Sequence, residues 1–294
     1  MMRTVTGHTR VVGVWGHPVG HSRSPVMHNA ALAALGLDWV YTAFDVPPAR
    51  LPDAVAGVRG LGLVGVNVTV PLKELLPPLL DTLSDEARRI GSVNTIVNQD
   101  GLLHGDSTDG AGFLRALAEA GCPPLFGQRA LLLGAGGSAR AVAFALAGQG
   151  CEVVVANRTG EKAPALADAI CDCYKGRASA AVWGEDAGPV DLVVNATSLG
   201  LSPHADAMPA LPPHLFDARP FVYDLIYNPG ETRLLQTARE AGCPVSNGLG
   251  MLVWQGALSL SLWTGLPLSQ MPVAAMLGAV SPAPTKRPVL DEPE

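Results

Sequence analysis

Residues 129–140 read Arg129-Ala130-Leu131-Leu132-Leu133-Gly134-Ala135-Gly136-Gly137-Ser138-Ala139-Arg140. A short apolar run, 130–133, ends abruptly in glycine, alanine and serine, and an alanine-rich segment of helical character continues to Gly150. The order is strand, glycine turn, helix. In that frame Gly134 allows the tight turn, Gly136 lets a pyrophosphate approach the backbone, and Ala139 is the small residue where helix meets strand. The free N–H groups at the start of the new helix then face the phosphates. Many loops hold three small residues; here the continuation Glu152-Val153-Val154-Val155-Ala156 supplies a second strand at the spacing a βαβ unit requires.

The tip of that second strand bears on which dinucleotide fits. An acidic side chain there would accept hydrogen bonds from the adenosine ribose. The chain instead reads Asn157-Arg158-Thr159, which places a guanidinium and two polar side chains where NADP carries its extra phosphate. Planar donors and a permanent charge suit Arg158 to that task. A single arginine after a strand is commonly just solvated, so its position relative to Gly134 is what favours NADP.

Composition bounds the rest. A chain of 294 residues is long enough for two domains, and 48% hydrophobic with 16% charged residues describes a globular protein with large cores. The net charge of −6 argues against a general nucleic-acid or membrane surface, and leaves small molecules as the expected partners. Five cysteines without a C-x-x-C pair fit reduced thiols, with Cys171 and Cys173 structural. The first residues lack the layout of a signal peptide, and no apolar run reaches spanning length. The expectation is a cytoplasmic protein, monomer or homodimer. The seven histidines are scattered and no His, Cys and carboxylate grouping has ligand spacing, so no metal is expected.

From the start, 11–15 is a compact apolar strand followed by the polar turn 16–25. Ser24 before Pro25 is a good helix start, with serine as N-cap and proline at the first helical position. Ser22 and Ser24 then place two hydroxyls beside a helix N-terminus, which suits a carboxylate, although capping alone explains Ser24. Strand and helix signals alternate over 39–46, 49–58 and 63–68, implying a mainly parallel sheet with helices on its faces. Ligands gather at the carboxyl ends of such strands. One such end carries Asn67, Thr69 and Lys73 before and after Pro71. Read locally, Lys73 is a surface lysine paired with Glu74. Ser84 caps a short helix over 85–90, 93–97 is another strand with Asn94 near its start, and Thr108 and Asp109 read locally as a cap and a first-turn acid of the next helix.

These stretches together resemble the shikimate dehydrogenase family: His21-Ser22-Arg23-Ser24-Pro25 with His28-Asn29, Asn67-Val68-Thr69-Val70-Pro71-x-Lys73, Val93-Asn94-Thr95, Ser107-Thr108-Asp109-Gly110, the 133–139 turn, Asn157-Arg158-Thr159, Asn195-Ala196-Thr197-Ser198, and Asn247-Gly248-Leu249-Gly250-Met251-Leu252 with Gln255. The resemblance runs almost end to end. It implies an enzyme of aromatic amino acid biosynthesis that reversibly reduces 3-dehydroshikimate to shikimate with NADPH. Lys73 and Asp109 would be the catalytic pair. Ser22 and Ser24 would hold the substrate carboxylate with help from Tyr227, while Thr69, Asn94, Asp109 and Gln255 would surround the ring hydroxyls. Cofactor contacts would come from Gly134, Ala135, Gly136, Gly137, Ser138, Ala139, Asn157, Arg158, Thr159, Asn195, Thr197, Ser198, Gly250 and Met251. One departure stands out: the family's usual Asn-Thr-Asp-Gly appears here as Ser107-Thr108-Asp109-Gly110, which bears on substrate affinity and on the positioning of Asp109.

The remaining pattern completes a Rossmann-type half, with helices over 161–170 and 231–241 and strands over 191–195, 220–226 and 243–246. For Asn195, tying one loop to another is as reasonable a role as cofactor contact. From Gly250 a long apolar helix begins, with Gln255 as its polar exception. In the family this helix returns to the substrate half. The organisation implied is an α/β protein with a discontinuous substrate domain, 1–109 and 250–280, around an NADP-binding domain, 110–249, and a disordered proline-rich tail, 281–294. Two competing readings are a relative that oxidises quinate or both acids, with broader substrate or NAD use, and a non-catalytic NADP-binding regulatory protein. Absence of an acid at 157–159 weighs against NAD, and retention of both Lys73 and Asp109 weighs against the regulatory reading.

Overall fold

The computed structural model describes residues 4–281 and forms two six-stranded sheets. The first is built from β1 (Arg10–Gly16), α1 (Ser24–Ala34), β2 (Trp39–Asp45), α2 (Leu51–Gly60), β3 (Gly65–Val68), β4 (Thr82–Leu83), α3 (Asp85–Ile90), β5 (Thr95–Gln99) and β6 (Leu102–Asp106). Its spatial order is β2-β1-β3-β5-β6-β4. The pairs β1/β2, β1/β3 and β4/β6 are parallel, while β5 runs antiparallel to both of its neighbours. That reversal follows from the tight link at Asp100-Gly101, where both residues have positive φ and turn β5 straight back into β6.

α4 (Asp109–Glu119) leads into the second sheet, which contains β7 (Arg129–Leu133), α5 (Gly137–Gly148), β8 (Glu152–Ala156), α6 (Lys162–Cys173), β9 (Ala178–Ala181), β10 (Leu192–Asn195), β11 (Phe221–Asp224), α7 (Arg233–Glu240) and β12 (Val245–Ser246). Every pair in its order β12-β11-β10-β7-β8-β9 is parallel. The chain leaves β7 toward β8 on one side and later returns to β10 on the other. A crevice therefore opens beyond the carboxyl ends of β7 and β10, the place where such sheets bind ligands. The first sheet repeats this at β1, flanked by β2 and β3.

The last helices, α8 (Leu249–Thr264) and α9 (Val273–Val280), pack back on the first sheet. Val253, Ala257, Leu260 and Trp263 of α8 share a core with Val12, Val14, Met27 and Tyr41, whereas Met251 belongs to the core beneath β7 and α5. α8 also lies close against α4: a Cβ on Gly112 would sit 2.6 Å from the Gln255 backbone nitrogen. No helix among the described residues is long and apolar enough to cross a membrane. Apart from Ser281, the tail expected over 281–294 lies outside the described residues.

Local expectations meet three corrections. Ser24 is the first residue of α1, not its cap; Arg23 holds the cap position and no side chain caps the helix. The Ser24 hydroxyl lies beside the Tyr41 phenol instead. Thr108 does hold the cap position of α4, but its hydroxyl turns away from the helix backbone to donate to the Gln255 carbonyl at 3.0 Å. Asn94 precedes β5 and does not lie within it. Ser84 caps α3 as expected, accepting from the Ala87 N–H at 3.1 Å.

Candidate active site

A cavity of about 200 Å³ opens between the end of the first sheet and the start of α5. Ser22, Ser24, Thr69, Lys73, Asp109, Tyr227, Met251 and Gln255, from five separate stretches of chain, all line it. His21, Asn67 and Ser138 complete the polar wall. The Ser22 hydroxyl accepts the Ser24 N–H at 3.3 Å, so the two serines are held as a pair at the beginning of α1. Burial, the largest influence on Tyr227, raises its phenol above the ordinary value. It therefore stays protonated at neutral pH and can donate a hydrogen bond to an anion.

Lys73 is 8% exposed and Asp109 3%, and the Lys73 Nζ donates to Asp109 Oδ2 at 2.5 Å. The local expectation of a surface lysine paired with Glu74 is thus overturned, because the stem of Lys73 runs inward under the glycine turn while Glu74 points to solvent. Asp109 opens α4, where the unpaired backbone N–H groups favour a negative charge. Its other oxygen, Oδ1, accepts from Asn94 Nδ2 at 2.8 Å. Asn94 stands behind the pair: its Oδ1 accepts the Thr108 N–H at 2.8 Å and its Nδ2 reaches Gln255 Oε1 at 3.3 Å. A buried charge pair is costly unless its remaining lone pairs are satisfied, and this network satisfies them.

The network extends to Tyr41 and Ser259, which the sequence did not single out. Asn67 accepts from the Tyr41 hydroxyl at 2.9 Å and donates to the Ser259 hydroxyl at 2.9 Å. Ser259 also lies 2.7 Å from Thr95 Oγ1 and donates to the Gln255 carbonyl at 3.0 Å. Its signal in the sequence is modest, a hydroxyl one helical turn after Gln255 on the same face. Ser107, the departure from the family pattern, is buried at 8% exposure and does not line the cavity; its backbone N–H donates to Asp106 Oδ1 at 2.7 Å.

A second cavity, about 230 Å³, lies along the carboxyl ends of β7, β8 and β10. Gly134, Ala135, Gly136, Asn157, Arg158, Thr159, Thr197 and Ser198 line it, joined by Lys162 and Trp183, which the sequence did not single out. Gly134 has φ +113°, a conformation strained for any side chain, and a Cβ there would lie 3.0 Å from the Ala196 carbonyl oxygen. Around Gly136 nothing lies within 4 Å of the Cβ position, so the backbone is open to a ligand. With Arg158 and Lys162 on the wall, the site is built for an elongated polyanion on a helix N-terminus.

Other residues named from the sequence sit elsewhere. Ala139 is fully buried against β7 and β8. Gly137 packs on the Lys73 stem, where a Cβ would come within 3.0 Å of Lys73 Cβ. Gly250 faces Ala116, with its Cβ position 3.1 Å from that methyl group. Asn195 is fully buried: its Oδ1 accepts from the Thr197 N–H and hydroxyl, and its Nδ2 donates to Leu199 and Asp224. It ties the loop that lines the second cavity to β11.

Comparison with known proteins gives the family. Residues 14–96 match the shikimate dehydrogenase substrate-binding domain family, 116–199 the shikimate/quinate 5-dehydrogenase family, and 248–280 the shikimate 5′-dehydrogenase C-terminal domain family. The shikimate dehydrogenase (NADP(+)) of Moorella thermoacetica is 52% identical over 283 residues, covering 94% of each chain. Among solved structures, a shikimate dehydrogenase in complex with NADP+ superposes with a TM-score of 0.88 at 41% identity, over 94% of this chain and 96% of that one. The Thermus thermophilus shikimate 5-dehydrogenase, solved with NADP(H) and shikimate, superposes at 0.82 and 46% identity, over 92% and 98%. A likeness this deep, carried through both sheets and the returning helix, leaves one conclusion: the chain belongs to the shikimate dehydrogenase family.

Proposed function

We propose that the protein is an NADP-dependent shikimate dehydrogenase that interconverts 3-dehydroshikimate and shikimate. The observation that carries this reading is the buried Lys73–Asp109 pair, set on the wall of a small polar cavity beside the glycine turn. A regulatory binding protein has no need of a desolvated, hydrogen-bonded ion pair at that place. The relatives' shared name supplies the substrate, and the cavity's polar lining suits a hydroxylated carboxylic acid.

When bound, NADPH supplies the hydride, and the lining of the second cavity suits it. The turn Gly134-Ala135-Gly136 would take the pyrophosphate, and Arg158 with Asn157 and Thr159 the 2′-phosphate. Thr197 and Ser198 would line the far side. In the substrate cavity Ser22, Ser24 and Tyr227 would donate to the carboxylate. Thr69 and Gln255 would contact ring hydroxyls, with Asn94 acting from behind Asp109. Lys73 would give a proton to the C3 oxygen in reduction and take it back in oxidation, and its ammonium would stabilise charge developing on that oxygen. Asp109 would hold Lys73 in register and accept from a substrate hydroxyl. We assign the substrate half to 1–109 and 250–280 and the cofactor half to 110–249.

Replacing Lys73 by Ala tests the reading. Turnover of shikimate should fall by a factor of about 10²–10⁴, the range for loss of a positioned acid–base group, with NADP affinity within about twofold. An unchanged turnover number removes Lys73 from the mechanism.

A further inference from the structure

The first turn of α5 does more than face a pyrophosphate. It is fastened to the opposite half of the molecule at three successive points. Gly137 packs against the Lys73 stem and Ser92, its Cβ position being 3.0 Å from Lys73 Cβ and 2.9 Å from Ser92 Oγ. Arg140 donates through Nε to the Ile90 carbonyl at 2.7 Å, capping the end of α3. Between them, the Ser138 hydroxyl accepts from Lys73 Nζ at 3.0 Å. Ser138 lines the substrate cavity together with Lys73 and Asp109, although the neighbouring Gly134, Ala135 and Gly136 line the other one.

We propose that Ser138 is a positioning residue for Lys73: its hydroxyl is the second fixed acceptor of the lysine ammonium and ties the orientation of Nζ to the phosphate-binding turn. The argument is geometric. An ammonium carries three donors on a flexible four-carbon stem, and a single carboxylate leaves it free to rotate about the terminal bonds. Asp109 fixes one N–H, Ser138 fixes a second, and the third is left to point into the cavity toward the oxygen that exchanges the proton. Asp109 comes from α4 and Ser138 from α5, so the third direction depends on how the two halves meet. A dinucleotide seated on the turn would hold Ser138 in place and with it the lysine. The other ionisable side chains lining this cavity are His21 and Tyr227. This inference rests on the catalytic role proposed for Lys73.

The test uses the full-length protein with Ser138→Ala and Ser138→Thr. Oxidation of shikimate by NADP should show a turnover number about tenfold lower in Ser138→Ala, the loss of one hydrogen bond to a charged group, with both Michaelis constants within about twofold. Ser138→Thr, which keeps the hydroxyl, should recover most of the loss. A second readout does not need activity. The chain has only four lysines, Lys73, Lys162, Lys175 and Lys286, so the ε-methylene signals of isotopically labelled lysine can be assigned with a Lys73→Arg variant. The two ε-protons of Lys73 should be distinct in the parent protein and merge in Ser138→Ala. Unchanged turnover with unchanged Lys73 signals overturns the proposal, as does an effect confined to the Michaelis constant for NADP, which would assign the serine to the cofactor alone. A parent protein inactive on shikimate whose Lys73 signals still respond to Ser138→Ala would sink the proposed reaction and leave the positioning role standing.

Discussion

Arg158 shows what one side chain can decide. It lines the second cavity beside Asn157 and Thr159, with no acid at the tip of β8 to compete for a ribose. Arg158→Ala should raise the Michaelis constant for NADP about tenfold, the effect of losing one charge-assisted contact, and leave that for NAD nearly unchanged. Equal movement of both constants would remove the 2′-phosphate role. The place of Arg158 on the cavity wall was legible in the sequence because it depends only on its position after Gly134, within the span of one βαβ unit. Lys73 was not legible from its own surroundings. Its partner Asp109 lies 36 residues on, and the neighbouring Glu74 offers a bland alternative that only the fold removes. Ser24 misled for the opposite reason: the local grammar of caps fits it well, yet its hydroxyl lies beside a buried phenol from β2 and caps nothing.

Among the elements, α8 does the most to build the site. One face packs on α1 and β1 while its first turns set Met251, Leu252 and Gln255 into the substrate cavity. The approach of the chain into this helix is very tight. A Cβ on Gly248 would overlap the Leu225 carbonyl oxygen, a clash that no repacking of side chains can relieve because both partners are backbone. Gly248→Ala should therefore lower unfolding free energy by about 3 kcal/mol or more, read by urea denaturation, and distort the cavity near Leu225 and Tyr227. A loss under about 1 kcal/mol would show that the α8 entry is adjustable. The elements missed in the sequence are short or weakly patterned. β9 is Ala178-Ser179-Ala180-Ala181, an edge strand with no β-branched residue, made extended by pairing with β8. β4 has two residues and exists through its pairing with β6.

At the scale of the whole molecule, two buried ionisable groups act in opposite directions on stability. His28 is fully buried and stacked on Tyr41 at 4.1 Å between ring centroids, and desolvation lowers its pKa from 6.5 to about 4. The unfolded chain then binds a proton that the fold refuses, so this term favours folding above pH 6.5 and fades as pH falls toward 4. Asp224, the last residue of β11, is raised by burial from 3.8 to about 6. Its folded form holds a proton longer than the unfolded chain, so its contribution is present below pH 3.8 and fades as pH rises to 6. The two slopes largely cancel between pH 4 and 6. His28→Gln removes one of them: relative to the parent, the variant should gain up to about 3 kcal/mol of stability as pH falls from 6.5 to 4, measured by urea unfolding across that range. A pH-independent difference would show that His28 titrates normally in the fold.

The arrangement of the two halves follows from chain order. Each sheet opens a crevice where the chain reverses direction, at β1 in one and at β7 in the other, and α4 and α8 join the two. The alternation of strands and helices and the glycine turn made this architecture readable in advance; the polar network through Asn67 and Ser259 depends on contacts between distant segments and was not. The measurement that bears most directly on the account is reduction of dinucleotide by the purified protein with shikimate or quinate, each with NADP or NAD, followed by absorbance. Fast reduction with shikimate and NADP, and slow reduction in the other three mixtures, is the predicted result. Preference for quinate or for NAD would contradict the substrate or cofactor assignment, and silence in all four mixtures while NADP still binds would contradict the enzyme itself.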